Sequence, residues 1–72
     1  VAVKDQVQLI LMRADALTDD QIFAYYQKAG GNRTPQRVRT ARAELVRDGI
    51  VQESVLTGTS EYGNPATKWE LT

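Results

Sequence analysis

Thr34-Pro35-Gln36-Arg37-Val38-Arg39-Thr40-Ala41-Arg42-Ala43-Glu44-Leu45-Val46-Arg47-Asp48-Gly49-Ile50-Val51 carries a helix from its start signal to its stop signal and then changes period. The Thr34 hydroxyl is placed to cap free N–H groups, and Pro35 takes the first helical position, where a missing N–H costs nothing. The spacing predicts a helix from Pro35 to Asp48, closed by Gly49, which can take up the left-handed cap conformation. Val38, Ala41 and Leu45 share the inward side, with Val46 at its margin. Steps of about 100° per residue put Gln36, Thr40, Ala43 and Arg47 near the opposite side and Arg37 and Arg39 on the flanks. After Gly49, Ile50 to Leu56 is rich in β-branched and apolar residues, which predicts a strand.

Upstream, Thr18-x-x-Gln21 has capping-box spacing, and Leu17 and Ile22 are placed as a hydrophobic staple. Asp19 and Asp20 fall in the first turn, where the helix dipole favours negative charge. A second helix therefore starts at Asp19, turns Ile22, Phe23, Tyr25, Tyr26 and Ala29 inward and stops at Gly30-Gly31. Of the two adjacent tyrosines, one is expected in the core and the other over its edge. Before it, Val3, Val7, Ile10, Leu11 and Ala14 recur on one helical stripe, which predicts a first helix over Ala2 to Asp15. Leu9 and Met12 fall off that stripe and either widen the buried face or contact another chain. Core is the expected use. Ala16-Leu17-Thr18 is a short extended piece, too short for an element of its own.

Downstream, Thr67 to Thr72 alternates, with Trp69 and Leu71 on one side and Lys68 and Glu70 on the other. The turn formers between Leu56 and Thr67 join the two strands into an antiparallel hairpin. A two-stranded hairpin is unstable alone, so its apolar face must lie on the helices, and Trp69, Leu71, Ile50 and Val55 are the residues expected to close that core.

The 72 residues make a single domain over 1–72, without an internal repeat or linker. A chain of this size hides roughly 60% of the surface its unfolded form exposes, room for one small core. With no Cys and no His, there is no thiolate nucleophile, no imidazole base and no Cys-based zinc site, and the scattered acids show no metal spacing. An enzyme is not expected, and neither a cofactor nor a metal is implied. No apolar run, Leu9 to Met12 included, comes near the roughly 20 residues that span a bilayer, so a soluble, cytoplasmic protein without a membrane partner is expected. Asn32-Arg33-Thr34 matches the glycosylation triplet, which without a secretory signal is a chance match. The first residue is Val1 rather than Met, compatible with a segment of a larger parent protein or a processed product.

Nine Lys/Arg balance nine Asp/Glu, but unevenly. Arg33, Arg37, Arg39, Arg42 and Arg47 lie in one stretch with a single acid, Glu44, for a net +4, so the rest of the neutral chain carries −4. Such a cluster on an acidic body aims a protein at phosphate in one orientation, and guanidinium offers planar two-point bonding that ammonium lacks. The plainer reading is a solvated helix face. Arg33 and Arg37 also sit at a helix start, where cations are unfavourable and an anion is missing. Either a phosphate completes that helix end, or Asp19, Asp20 or Glu44 pairs with these arginines within the fold.

Helix, short extended piece, helix, tight turn, helix, strand, loop, strand is the order of an α+β winged helix-turn-helix: three helices followed by a two-stranded antiparallel wing. The run from Thr34 to Val51 resembles the recognition-helix segment of small winged helix-turn-helix DNA-binding proteins of the phage and prophage type found in actinobacteria. The likeness extends over Gly63 to Leu71, with Trp69 and Leu71 in the closing strand, and spans about half of the chain. The resemblance implies that the third helix enters the major groove of double-stranded DNA. Gln36, Arg37, Thr40 and Arg39 would then meet base edges, Ala43 a thymine methyl, and Arg33, Thr34 and Arg47 phosphates. Arg42 lies where such helices carry a half-buried apolar residue, so it reads as a structural arginine paired with an acid. The wing offers Lys68 but carries Glu61, which argues against deep minor-groove insertion, while Thr57, Thr59 and Ser60 are placed for backbone phosphates.

The function expected is sequence-specific DNA binding, as a small regulator of transcription or the DNA-binding module of a larger phage-type protein. The alternative is a winged-helix protein-protein interaction module whose arginines meet an acidic partner. A homodimer is left open by the sequence and would predict a palindromic site.

Overall fold

Three helices, α1 (Val3–Arg13), α2 (Asp19–Lys28) and α3 (Pro35–Arg47), precede two antiparallel strands, β1 (Val51–Thr59) and β2 (Pro65–Leu71). This is the α+β, winged-helix-like layout that the element order implies. The structure is a computed structural model that describes residues 2–59, 63 and 65–72 and, among these, all side chains but those of Leu56, Thr57 and Thr59.

The start signals act as their chemistry requires. Gln21 N–H donates to Thr18 Oγ1 at 3.3 Å while Thr18 N–H donates to Gln21 Oε1 at 3.0 Å, a complete capping box at the head of α2. Thr34 Oγ1 accepts from Arg37 N–H at 3.2 Å, with Pro35 in the first turn of α3. Gly30 and Gly49 end α2 and α3 with φ of 88° and 78°, the left-handed region that side chains resist. α1 has no such punctuation. It ends two residues before the expected Asp15 because Ala14 is already extended (φ −127°, ψ 146°), which sends the chain toward the sheet.

Val3, Val7 and Leu11 of α1, Ile22 and Tyr26 of α2 and Val38, Ala41 and Leu45 of α3 meet in one buried cluster with Leu17 and Val51. Ile10, Ala14, Phe23, Val46, Ile50, Trp69 and Leu71 pack around it, partly buried. Lys4 Nζ reaches Asp48 Oδ2 at 2.8 Å and ties the head of α1 to the tail of α3. Leu9 and Met12 do not widen the core: they are 48% and 64% exposed, because their angular positions on α1 face away from α2 and α3. Tyr25, expected inward, is also exposed, as is Ala29, while Tyr26 is the buried member of the tyrosine pair.

The hairpin departs from simple alternation. Val51 pairs with Leu71 and Glu53 with Trp69, but the next pair is Thr57 with Thr67, so β1 spends three residues, Ser54 to Leu56, where β2 spends only Lys68. This bulge reverses the expected facing. Ser54 is buried and Val55 is 98% exposed, so Val55 does not close the core. The short piece between α1 and α2 does pair: Leu17 N–H donates to Trp69 O at 3.1 Å and Trp69 N–H to Leu17 O at 2.7 Å. That bridge lies on the side of β2 away from β1.

Candidate nucleic-acid interface

α3 packs Val38, Ala41 and Leu45 inward, and the reverse side follows from the same period. Gln36, Arg37, Arg39, Thr40, Ala43 and Arg47 are all exposed, and so are Arg33 and Thr34 at the entrance to the helix. The expected site residues on and before α3 therefore share one open surface. At its centre are a methyl group, Ala43, and Thr40, whose hydroxyl donates to Gln36 O at 3.0 Å and so is held against the helix backbone.

The five arginines divide into one that is held and four that are not. Arg42 turns inward, with Nε and Nη2 donating to Asp19 Oδ1 and Oδ2 at 2.9 Å each, a two-point fork. Its guanidinium carbon lies 4.0 Å from the centre of the Trp69 ring. The expected structural arginine is thus the bolt between the head of α2, α3 and the hairpin. Arg37 Nη1 approaches Glu44 Oε1 at only 3.9 Å, and Arg47 Nε approaches Asp48 Oδ1 at 3.9 Å. Exposed pairs at such separations contribute little and release easily to a stronger anion. Asp48 is in any case held by Lys4, whose hydrogen bond lowers the Asp48 carboxyl below its ordinary value. Arg33 and Arg39 make no ion pair among the described residues.

The start of α3 has no acid in its first turn, unlike α2 with Asp19 and Asp20. The turn before it is rigidly held. Gly31 lies against the Tyr26 ring so closely that a side-chain carbon there would collide with it. The Tyr26 hydroxyl accepts from Arg33 N–H at 3.1 Å. A polar cleft at this corner is lined by Gln6, Asn32, Arg33 and Arg37, among others. Asn32 and Gln6 escaped the sequence reading. Asn32 stands directly after the two glycines, a position from which its exposure beside Arg33 could have been read, whereas nothing in the sequence marks Gln6. Arg39 lies on the other flank, in a cleft with Asp19, Asp20, Phe23 and Pro35.

The wing contributes less to this surface. Lys68 lies midway along the hairpin, opposite the bulge, where its stem and Thr18 Cγ2 both crowd the space above Gly58. The Thr57 and Thr59 side chains, Ser60 and Glu61 lie outside the described residues. Glu70 accepts from Gln52 Nε2 at 2.9 Å, and the bonds from Gln52 and then Ser54 lower its carboxyl below the ordinary range. Among the described residues, no group of three His, Cys, Asp or Glu side chains is arranged to hold a metal ion, and no helix is long and apolar enough to cross a membrane. Comparison with protein families, with curated proteins and with solved structures finds no match for this chain.

Proposed function

We propose that this domain binds double-stranded DNA sequence-specifically, with the exposed side of α3 in the major groove. The observation that carries the reading is the sorting of the arginines. Arg42 is consumed by Asp19 inside the fold, while Arg33, Arg37, Arg39 and Arg47 stay exposed around a helix whose first turn lacks an acid. A surface of guanidinium groups around a small, flat centre at Ala43 suits close approach to base edges flanked by phosphates. In this reading Gln36, Arg37, Arg39 and Thr40 read bases, and Arg33, Thr34 and Arg47 hold the backbone. Lys68 is a peripheral phosphate contact. As a regulator or as the module of a larger phage-type protein, the domain would act through the same surface.

The test is selection of bound duplexes from a random pool, followed by affinities for the selected sequence over a range of salt. Arg37→Ala should cost about 1–3 kcal/mol and relax base preference, while Arg47→Ala should weaken all sequences alike and flatten the salt dependence. No enriched sequence, or binding indifferent to salt and to both substitutions, overturns the reading in favour of an acidic protein partner on the same arginines.

A further inference from the structure

Asp5, Leu9 and Arg13 follow one another along α1 at intervals of four residues and so form a single ridge, with Ala2 and Met12 beside it. All five are exposed, Leu9 and Met12 by 48% and 64%. Neither Asp5 nor Arg13 has an ion pair or side-chain hydrogen bond among the described residues. The ridge lies across the helix from Val3, Val7 and Leu11, the face that packs into the core.

We propose that this ridge is a self-association surface whose occupant is the same ridge of a second copy of the chain, running antiparallel about a two-fold axis at Leu9. Asp5 and Arg13 stand equally far from Leu9, about 6 Å to either side along the helix axis. A two-fold axis there sets Leu9 against Leu9 and Asp5 of each copy opposite Arg13 of the other, the reciprocal matching that an isologous contact requires. Lys28 lines a groove with Arg13, Ile10, Ala14 and Tyr25, and so adds a second cation on the side where the opposing Asp5 arrives. An acidic partner or a nucleic acid would satisfy Arg13 and Lys28 but would be repelled by Asp5, whereas a second copy satisfies both signs. Because α1 faces α3 with its other side, the pairing leaves the outward surface of α3 uncovered. The inference stands independently of what α3 binds.

A contact made by one three-turn helix buries less than the roughly 1,200 Å² of a stable interface, so association is weak and read at high concentration. The experiment is sedimentation equilibrium of the chain up to about 1 mM, where a dimer of this size class is populated. Asp5→Arg and Arg13→Asp, each alone, turn both cross-pairs into like charges and should weaken the dimer about tenfold or more. An equimolar mixture of the two variants restores opposite charges at both ends of the contact and should recover association close to wild type. A merely structural role for either residue cannot produce that recovery. Far-UV circular dichroism checks folding, and Leu9→Gln, at an exposed position, provides a monomeric variant should either reversal unfold the chain. A wild-type chain monomeric throughout, Leu9→Gln dimerising like wild type, or folded reversal variants whose mixture stays monomeric would each overturn the proposal.

Discussion

Arg42→Ala is the substitution that should cost this domain most for a residue outside its apolar core. The guanidinium donates twice to Asp19 at 2.9 Å and covers the Trp69 ring at 4.0 Å, with side-chain exposures of 16% for Arg42 and 25% for Asp19. Truncating one partner of a fully buried pair costs about 3–5 kcal/mol, and breaking an exposed pair costs about 1 kcal/mol or less. A pair this far from solvent, discounted for what remains wet, falls between them. Adding about 0.5–1 kcal/mol for the lost contact with the indole gives roughly 2–3 kcal/mol. A domain of this length is stable by roughly 4–11 kcal/mol, so the loss is a large share. At about 4–8 °C per kcal/mol for domains of this size, Tm should fall on the order of 10–20 °C. Arg42→Lys keeps the charge but not the planar fork and should recover less than half of the loss. Chemical denaturation supplies the free energies. Trp69, the single tryptophan, supplies a local signal, because its emission should shift to the red when the guanidinium cover is removed. A cycle with Asp19→Ala should return a coupling of about 1–2 kcal/mol between the two residues. An Arg42→Ala loss under about 0.5 kcal/mol, the range of ordinary surface changes, would refute the reasoning.

Gly31→Ala should destabilise the fold by about 1–3 kcal/mol, because the new methyl collides with the buried Tyr26 ring; a neutral result in urea denaturation contradicts that crowding. Val55→Lys should change stability by less than about 0.5 kcal/mol, since Val55 lies on the solvent side of the bulge, and a loss of 2 kcal/mol or more would mean that the strand faces the other way. Asp48 is held below its ordinary pKa of 3.8, first by its hydrogen bond from Lys4. Its contribution to stability is therefore complete above about pH 3.8 and is lost as pH falls below that through the lowered value. NMR titration of the carboxyl should give a midpoint below 3.8 that rises in Lys4→Met, and a midpoint unchanged by that substitution removes the link.

Helices were legible because their punctuation is local chemistry. Thr18, Gln21, Thr34, Pro35, Gly30 and Gly49 each act on groups within a turn of themselves, so α2 and α3 begin and end where these residues demand. The outward side of α3 follows from its period, and the structural role of Arg42 from the resemblance, whose helices carry a half-buried apolar residue at that angle. Features that depend on distant partners were not legible. The Leu17–Trp69 bridge joins residues far apart in the sequence, and the bulge at Ser54 to Leu56 is a register mismatch between two strands that no local pattern marks. Alternation alone therefore put Val55 on the wrong face. Hydropathy makes core the expected use of Leu9 and Met12 over contact with another chain, yet α1 packs its neighbours against the opposite face, and among the described residues nothing buries these two side chains. At the candidate site, Asn32 and Gln6 became neighbours of Arg33 only through the fold of the turn and the approach of α1.

The reciprocal backbone bonds between Leu17 and Trp69 close a loop that takes in α2, α3 and β1. Joining segments so distant along the chain carries a loop-closure cost in entropy, and the same two bonds tether the entrance of α2 to the closing strand, so that loosening β2 loosens the footing of Asp19 and, through it, of Arg42.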